Sequence, residues 1–198
     1  NYSQIILNVS RNRGNVMDRA IVRFGEGGML PKFMLNKDNT KVCIPQDNKE
    51  YAVVRSTEAG ELPVNFKAAQ NGTYTISVNT EEVDVNYLHL IDNLTGADIN
   101  LLQTPSYSFD ALTTDYASRF KLVFSTGANN EDQFSFYSNG NWIINNEGDA
   151  TLQVVDVAGR IMSSEEISGC FSKHIEAASG VYMLRLINGN NTKVQKIL

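Results

Sequence analysis

Apolar residues in this chain recur mostly at every second position, and no stretch holds helical spacing over a useful length. Ile5, Leu7 and Val9 alternate with polar neighbours, as do Ala20, Val22 and Phe24, with Asn12-Arg-Gly-Asn15 as the turn between them; these predict the first two strands. Gly25-Glu-Gly-Gly28 interrupts the pattern and is read as a flexible turn, because a phosphate-binding loop needs a Gly-Lys-Ser/Thr ending and a following helix. Met29 to Asn36 and Lys41 to Pro45 are ambiguous, and Pro31 and Pro45 place them at sheet edges or in connections. Tyr51 to Arg55 and Leu62 to Phe66 read as short strands. Asn71-Gly72 is the strongest turn signal in the chain and predicts a hairpin, with Tyr74, Ile76 and Val78 alternating beyond it.

Val85, Tyr87, His89 and Ile91 share one strand face, with Leu88 and Leu90 on the other. Asp92 to Gly96 turns the chain, Ile99 to Leu102 resumes it, Tyr107 and Phe109 mark a brief strand, and Phe120, Leu122 and Phe124 close a first domain. Residues 126–132, rich in Asn, Gly and acid, read as a linker. Phe134 to Tyr137, the Asn139-Gly140 turn and Trp142 to Ile144 then open a second domain. In it the run Thr151 to Val157 ends at Ala158-Gly159 and Arg160-Ile-Met162 begins at once, which predicts a tight hairpin. Gly180 opens another strand and Val194 to Leu198 supplies the last. About fifteen short strands separated by turn signals predict an all-β protein of two antiparallel sandwiches in series, residues 1–125 and 133–198.

Composition narrows the function classes. The formal net charge is -5 and the pI is near 5.1, with basic side chains scattered, so nucleic acid and anionic membrane are set aside as partners. No apolar run approaches the ~20 residues of a spanning helix, so no membrane span is expected. Asn1-Tyr-Ser-Gln-Ile-Ile-Leu-Asn has neither the length nor the charge of an export leader, and the first residue is not Met; the expectation is a mature form or a piece of something longer. Cys43 and Cys170 fall in different domains and are expected to be two separate buried thiols rather than a disulfide.

Candidate chemistry is sparse. The two histidines, His89 and His174, lie far apart in sequence: His89 is expected to be packed and hydrogen-bonded, His174 to lie on the surface. Two His and two Cys on separate elements do not give zinc-ligand spacing. The acid pairs Glu81-Glu82, Glu131-Asp132 and Glu165-Glu166 are adjacent, and adjacent strand residues face opposite ways, so none can share a proton as a catalytic dyad does. No cofactor is expected. Asp92-Asn93 with Asp98, and Asp38-Asn39 with Asn36, offer hard oxygen donors for calcium without an EF-hand pattern, and Asp and Asn are common in ordinary turns. A glycan platform would draw on Tyr51, Tyr74, Tyr87, Tyr107, Tyr116 or Trp142; most alternate with apolar residues as core positions do, and Tyr116, in Thr114-Asp-Tyr-Ala-Ser118, is the one in a loop-like context.

Asp156-Val-Ala-Gly-Arg160, then Gly180-Val-Tyr-Met-Leu-Arg185, then Lys193-Val-Gln-Lys-Ile-Leu198 resemble, in order and spacing, the C-terminal sorting domain of the type IX secretion system. The resemblance covers residues 133–198 and rests on Asp156, Gly159, Arg160, Gly180, Tyr182 and Lys196. It implies an immunoglobulin-like domain that acts as an export and surface-attachment label in a Gram-negative bacterium and is read by outer-membrane secretion machinery. In that family the domain is often removed by a surface peptidase. Gly159 and Gly180 are expected to serve turn geometry, and Arg160 and Lys196 to contact the machinery. Leu90-Ile-Asp-Asn-Leu-Thr-Gly96, Leu101-Leu102, Tyr107-Ser-Phe109 and Arg119-Phe-Lys-Leu-Val-Phe124 are similar, more loosely, to the jelly-roll-like sandwich that precedes sorting domains in large bacterial surface proteins. That second resemblance implies a fold and no reaction. The expected function is non-enzymatic: a sorting signal behind a structural or interaction module, on the extracellular or outer-membrane surface. The rival is a carbohydrate-binding or adhesin module of a surface polysaccharide-handling protein, with a glycan or another surface protein as partner.

Overall fold

The computed structural model describes residues 1–12, 14–33, 38–127, 133–175 and 180–197. Among them every regular element is a strand, and the chain divides into two compact units, Asn1–Ala128 and Asn129–Leu198.

The first unit runs β1 (Gln4–Arg11), β2 (Asp18–Phe24), β3 (Leu30–Pro31), β4 (Lys41–Gln46), β5 (Lys49–Ser56), β6 (Ala59–Lys67), β7 (Gly72–Glu81), β8 (Val85–Asp92), β9 (Asp98–Asn100), β10 (Ser106–Ala111) and β11 (Phe120–Thr126). Neighbouring strands follow the order β10-β7-β1-β2-β5-β4-β6-β11-β8-β9, with β3 beside β5. All pairs are antiparallel except β2 with β5. β4 folds this ribbon over on itself, giving Ile44 to Gln46 to β5 and Lys41 to Cys43 to β6. The two halves face each other across an aromatic core. Phe66 of β6 meets Tyr74 of β7 at 5.3 Å and Phe109 of β10 at 5.1 Å, edge to face, and Phe24 of β2 meets Phe124 of β11 at 5.6 Å. Such pairs contribute about 0.5–1.5 kcal/mol each beyond the area they bury.

Two expectations need correction. Lys41 to Pro45 is no edge or connection: Val42, Cys43 and Ile44 are wholly buried, because the strand that passes from one layer to the other is covered on both sides. Pro45 is accommodated near the β4–β5 turn, opposite Glu50. The Asn71-Gly72 step makes no hairpin either, since β6 and β7 belong to different layers and each pairs with other strands. It carries the chain from layer to layer. Arg11 donates to Gln70 Oε1 at 2.6 Å and to the Asn71 carbonyl at 3.1 Å, and a Cβ at Gly72 would sit 2.7 Å from that guanidinium. A side chain at that position would push the Arg11 guanidinium aside.

The second unit contains β12 (Ser135–Ser138), β13 (Asn141–Ile144), β14 (Asp149–Asp156), β15 (Ile161–Ser168), β16 (Phe171–Lys173), β17 (Tyr182–Asn188) and β18 (Asn191–Ile197). They form a three-stranded sheet, β12-β13-β16, and a four-stranded one, β15-β14-β17-β18. Phe134, Ile144, Leu152, Val154, Ile167, Leu184, Leu186 and Ile197 form its core. Asn139 and Gly140 both take positive φ, 50° and 85°, and close the β12–β13 hairpin that the Asn-Gly dipeptide predicts. The Gln195 side chain on β18 accepts the N–H groups of Phe134 and Ser135 at 2.9 Å and donates to the Ser135 carbonyl at 3.1 Å, tying the last strand of the unit to its first.

Candidate functional site

The Asp156 to Arg160 segment is a turn written by its own side chains. Asp156 ends β14, and its Oδ1 accepts the N–H groups of Ala158 at 3.0 Å and Arg160 at 2.9 Å. Its Oδ2 accepts Arg160 Nε at 2.8 Å, and the Gly159 N–H returns to the Asp156 carbonyl at 3.1 Å. Gly159 has a φ of 86°, a conformation that penalises any Cβ. The Arg160 side-chain hydrogen bond, followed by the backbone bonds, holds the Asp156 carboxyl below its ordinary pKa. The Arg160 side chain is 83% exposed, so the pair shapes the turn more than it stabilises the unit.

Sheet register brings the remaining pattern residues to the same place. Asp156 pairs with Tyr182, which pairs with Ile197. One step along, Val155 pairs with Met183, and Met183 with Lys196. Gly180 is an exposed bend just before β17. Tyr182 lies half-buried against the core and Lys196 is exposed. Residues spread over forty positions thus meet at one end of one four-stranded sheet. Tyr116 is exposed on a loop of the first unit.

The first unit holds a cluster that periodicity alone does not reveal. Arg119 is buried, and its guanidinium grips Asp92 twice, Nε to Oδ1 at 3.0 Å and NH2 to Oδ2 at 2.9 Å, while NH1 donates to the Asp110 carbonyl at 2.9 Å. Tyr107 donates to Asp92 Oδ2 at 2.8 Å and the Leu94 N–H to Oδ1 at 3.1 Å. The guanidinium also lies 4.7 Å from the Phe109 ring centre. Burial pushes the Asp92 carboxyl up, but the Arg119 and Tyr107 hydrogen bonds and the Arg119 charge outweigh it and hold the pKa below the ordinary value. The charged ends are therefore matched in a dry setting. The sequence signal available was an Arg at the head of an apolar strand and an Asp at the end of another.

The other candidates disperse. His89 is buried, hydrogen-bonded to Asp98 at 2.5 Å and stacked on Tyr87 with ring centres 4.2 Å apart. His174 is exposed, 3.1 Å from the Gly140 carbonyl. Asp92 and Asp98, the suggested calcium donors, are engaged by Arg119 and His89, and Asn36 and the Glu131-Asp132 pair lie outside the described residues. Among the described residues no group of three or more His, Cys, Asp or Glu could hold a metal ion. Glu165 pairs with Lys173, and Glu166 accepts from Thr151 at 2.7 Å. Tyr74 and Tyr87 are buried, and Tyr51, Tyr107 and Trp142 half-buried, so of the six aromatics considered for a glycan platform Tyr116 alone is exposed. Cys43 is buried, which pushes its thiol up to about 11, and Cys170 is half-buried; the two are not joined in a disulfide. The first unit also has an open cleft of about 650 Å³ lined by Phe24, Glu26, Arg55, Thr57, Glu58 and Thr126 among others. No helix among the described residues is long and apolar enough to cross a membrane.

Residues 133–198 match the family model described as the secretion system C-terminal sorting domain, in agreement with the sequence resemblance. No curated protein matches the chain. The match supports a secreted or cell-surface protein with a C-terminal sorting signal and interaction with type IX secretion machinery.

Proposed function

We propose that the second unit carries the chain across the outer membrane as a sorting signal and that the first unit is a non-enzymatic structural or interaction module held at the bacterial surface. The observation that carries this reading is the convergence of Asp156, Gly159, Arg160, Gly180, Tyr182 and Lys196 at one end of the four-stranded sheet within the matched domain. A label has to present a fixed surface, and a turn fixed by its own hydrogen bonds beside a strand end supplies one. The role of the first unit rests on its two-layered core and on the dispersal of its titratable residues into pairs that serve the fold, Asp92 with Arg119 and Asp98 with His89. Its open cleft, with Glu26, Glu58 and Arg55 among the lining, is the place where a partner would be held.

The test is a chain ended at Ser125, expressed in a bacterium with a type IX secretion system beside the complete chain. Retention of the shortened chain in the periplasm, with the complete chain on the surface, is the expected result. Normal secretion of the shortened chain sinks the reading.

A further inference from the structure

The four-stranded sheet has an outer face as well as the face that covers the core, and its two ends differ. Ala150, Leu152 and Val154 point inward with Leu184 and Leu186, so Val155 and Met183 point outward. Near the Asp156 turn a β-bulge changes what β15 presents. Val154 pairs with Ser163 but Val155 with Ile161, leaving Met162 as the extra residue. A bulge re-aims side chains, and Ile161 and Met162 are 54% and 53% exposed in succession. With Met183, 38% exposed, they spread over the buried Val155 as an apolar patch in open solvent. Arg160 borders the patch on the turn, and Lys196 borders it on β18, opposite Met183. At the far end of the same face Thr151, Glu166 and Thr192 surround one half-buried apolar residue, Ile187, and Glu166 is held by Thr151.

An apolar centre with cations at its margin is the anatomy of a protein interface. Binding to an anionic lipid surface calls for clusters of about 4–8 cations, and this face has Arg160, Lys196 and, one row on, Arg185, which donates to Gln153 at 3.1 Å. We infer that the outer face formed by Val155, Ile161, Met162 and Met183, flanked by Arg160 and Lys196, is the surface by which the second unit docks on its secretion partner, a protein presenting an apolar centre with an acidic rim. The inference rests on the sorting reading above and assigns that reading to one face. Arg160 and Lys196 act on the rim, where charge steers encounter and sets specificity; Ile161 and Met183 carry the contact.

The experiment uses the full chain in a secreting host. The double substitution Ile161→Ser with Met183→Ser leaves the inward-facing core residues in place, so thermal melting of the purified chain still shows a cooperatively folded second unit. Its surface amount is expected to fall about tenfold, which corresponds to loss of about 1.4 kcal/mol of partner binding, with matching accumulation in the periplasm. Lys196→Glu gives a fall of the same sign, Lys196→Arg does not, and Glu166→Gln at the far end of the face changes nothing. A full-length Leu184→Asp chain, whose second unit is broken from inside, keeps failure of the face distinct from failure of the sorting reading. If Leu184→Asp is retained while Ile161→Ser with Met183→Ser is displayed normally, the face is wrong and the sorting reading stands. If Leu184→Asp is displayed normally, the sorting reading itself falls. Parent protein is also mixed with vesicles of phosphatidylglycerol and phosphatidylcholine; binding that Lys196→Glu abolishes would assign the face to lipid and overturn the protein partner.

Discussion

Arg119 and Asp92 show how one pair of side chains organises the first unit. Both are buried, and the guanidinium joins β11 to the end of β8 and, through the Asp110 carbonyl, to β10. Removing one partner strands the other in a dry site. Arg119→Met should therefore cost about 3–5 kcal/mol, read as a lower urea midpoint at constant slope. The pH dependence follows from the depressed Asp92 carboxyl. A carboxylate whose pKa is lowered by folding stabilises the fold above its unfolded value and loses that stabilisation as pH falls through the folded value. The parent should lose stability steeply as pH drops below about 4, and Asp92→Asn should flatten that acid limb while lowering stability at neutral pH. A parent and variant with parallel limbs would show that Asp92 does not titrate with folding. Cys43 offers a contrast at the same scale: burial pushes its thiol up to about 11, so thiol reagents should label the native chain slowly there and quickly once it is unfolded.

At the scale of elements, glycines mark where backbone conformation or close approach leaves no room for a side chain. Gly60 pairs with Phe124, and a Cβ there would lie 2.6 Å from the phenylalanine ring. Gly60→Ala should cost about 1–3 kcal/mol through overpacking, visible in the urea midpoint. Gly159 is different, with open space around it and strain only in φ, so Gly159→Ala should cost about 1–2 kcal/mol and leave the core untouched. The strands themselves were largely legible: alternation placed β1, β2, β7, β8, β10 and β11, and Asn139-Gly140 and Ala158-Gly159 marked real hairpins. What alternation does not encode is which strand lies beside which. Asn71-Gly72 failed as a hairpin because β7 finds its partners in β1 and β10. β4 escaped because a strand covered on both sides has no polar face to alternate with. β16 escaped because it is only three residues long. The sorting pattern could be read as a list of residues, whereas their meeting at one sheet end depends on register, and so does the pairing of Arg119 with Asp92.

At the scale of the whole molecule, each unit has its own core, and the chain's single tryptophan, Trp142, lies in the second. Tryptophan emission therefore follows unfolding around β13, while far-ultraviolet circular dichroism follows both units. Leu184→Ala empties a fully buried position of the second core and should cost about 2–5 kcal/mol, seen first as an earlier emission shift.

The Gln195 clip carries a consequence for the order in which the molecule is made. The first unit has all its strands once residue 126 has been synthesised. The second begins with Phe134 and Ser135, whose N–H groups wait for a side chain on the strand that comes last, sixty residues later. A polypeptide interrupted between residue 126 and Gln195 has a finished front half and an unlatched rear one. A secretion apparatus that recognises only the latched form would thereby leave behind any chain broken off inside the second unit.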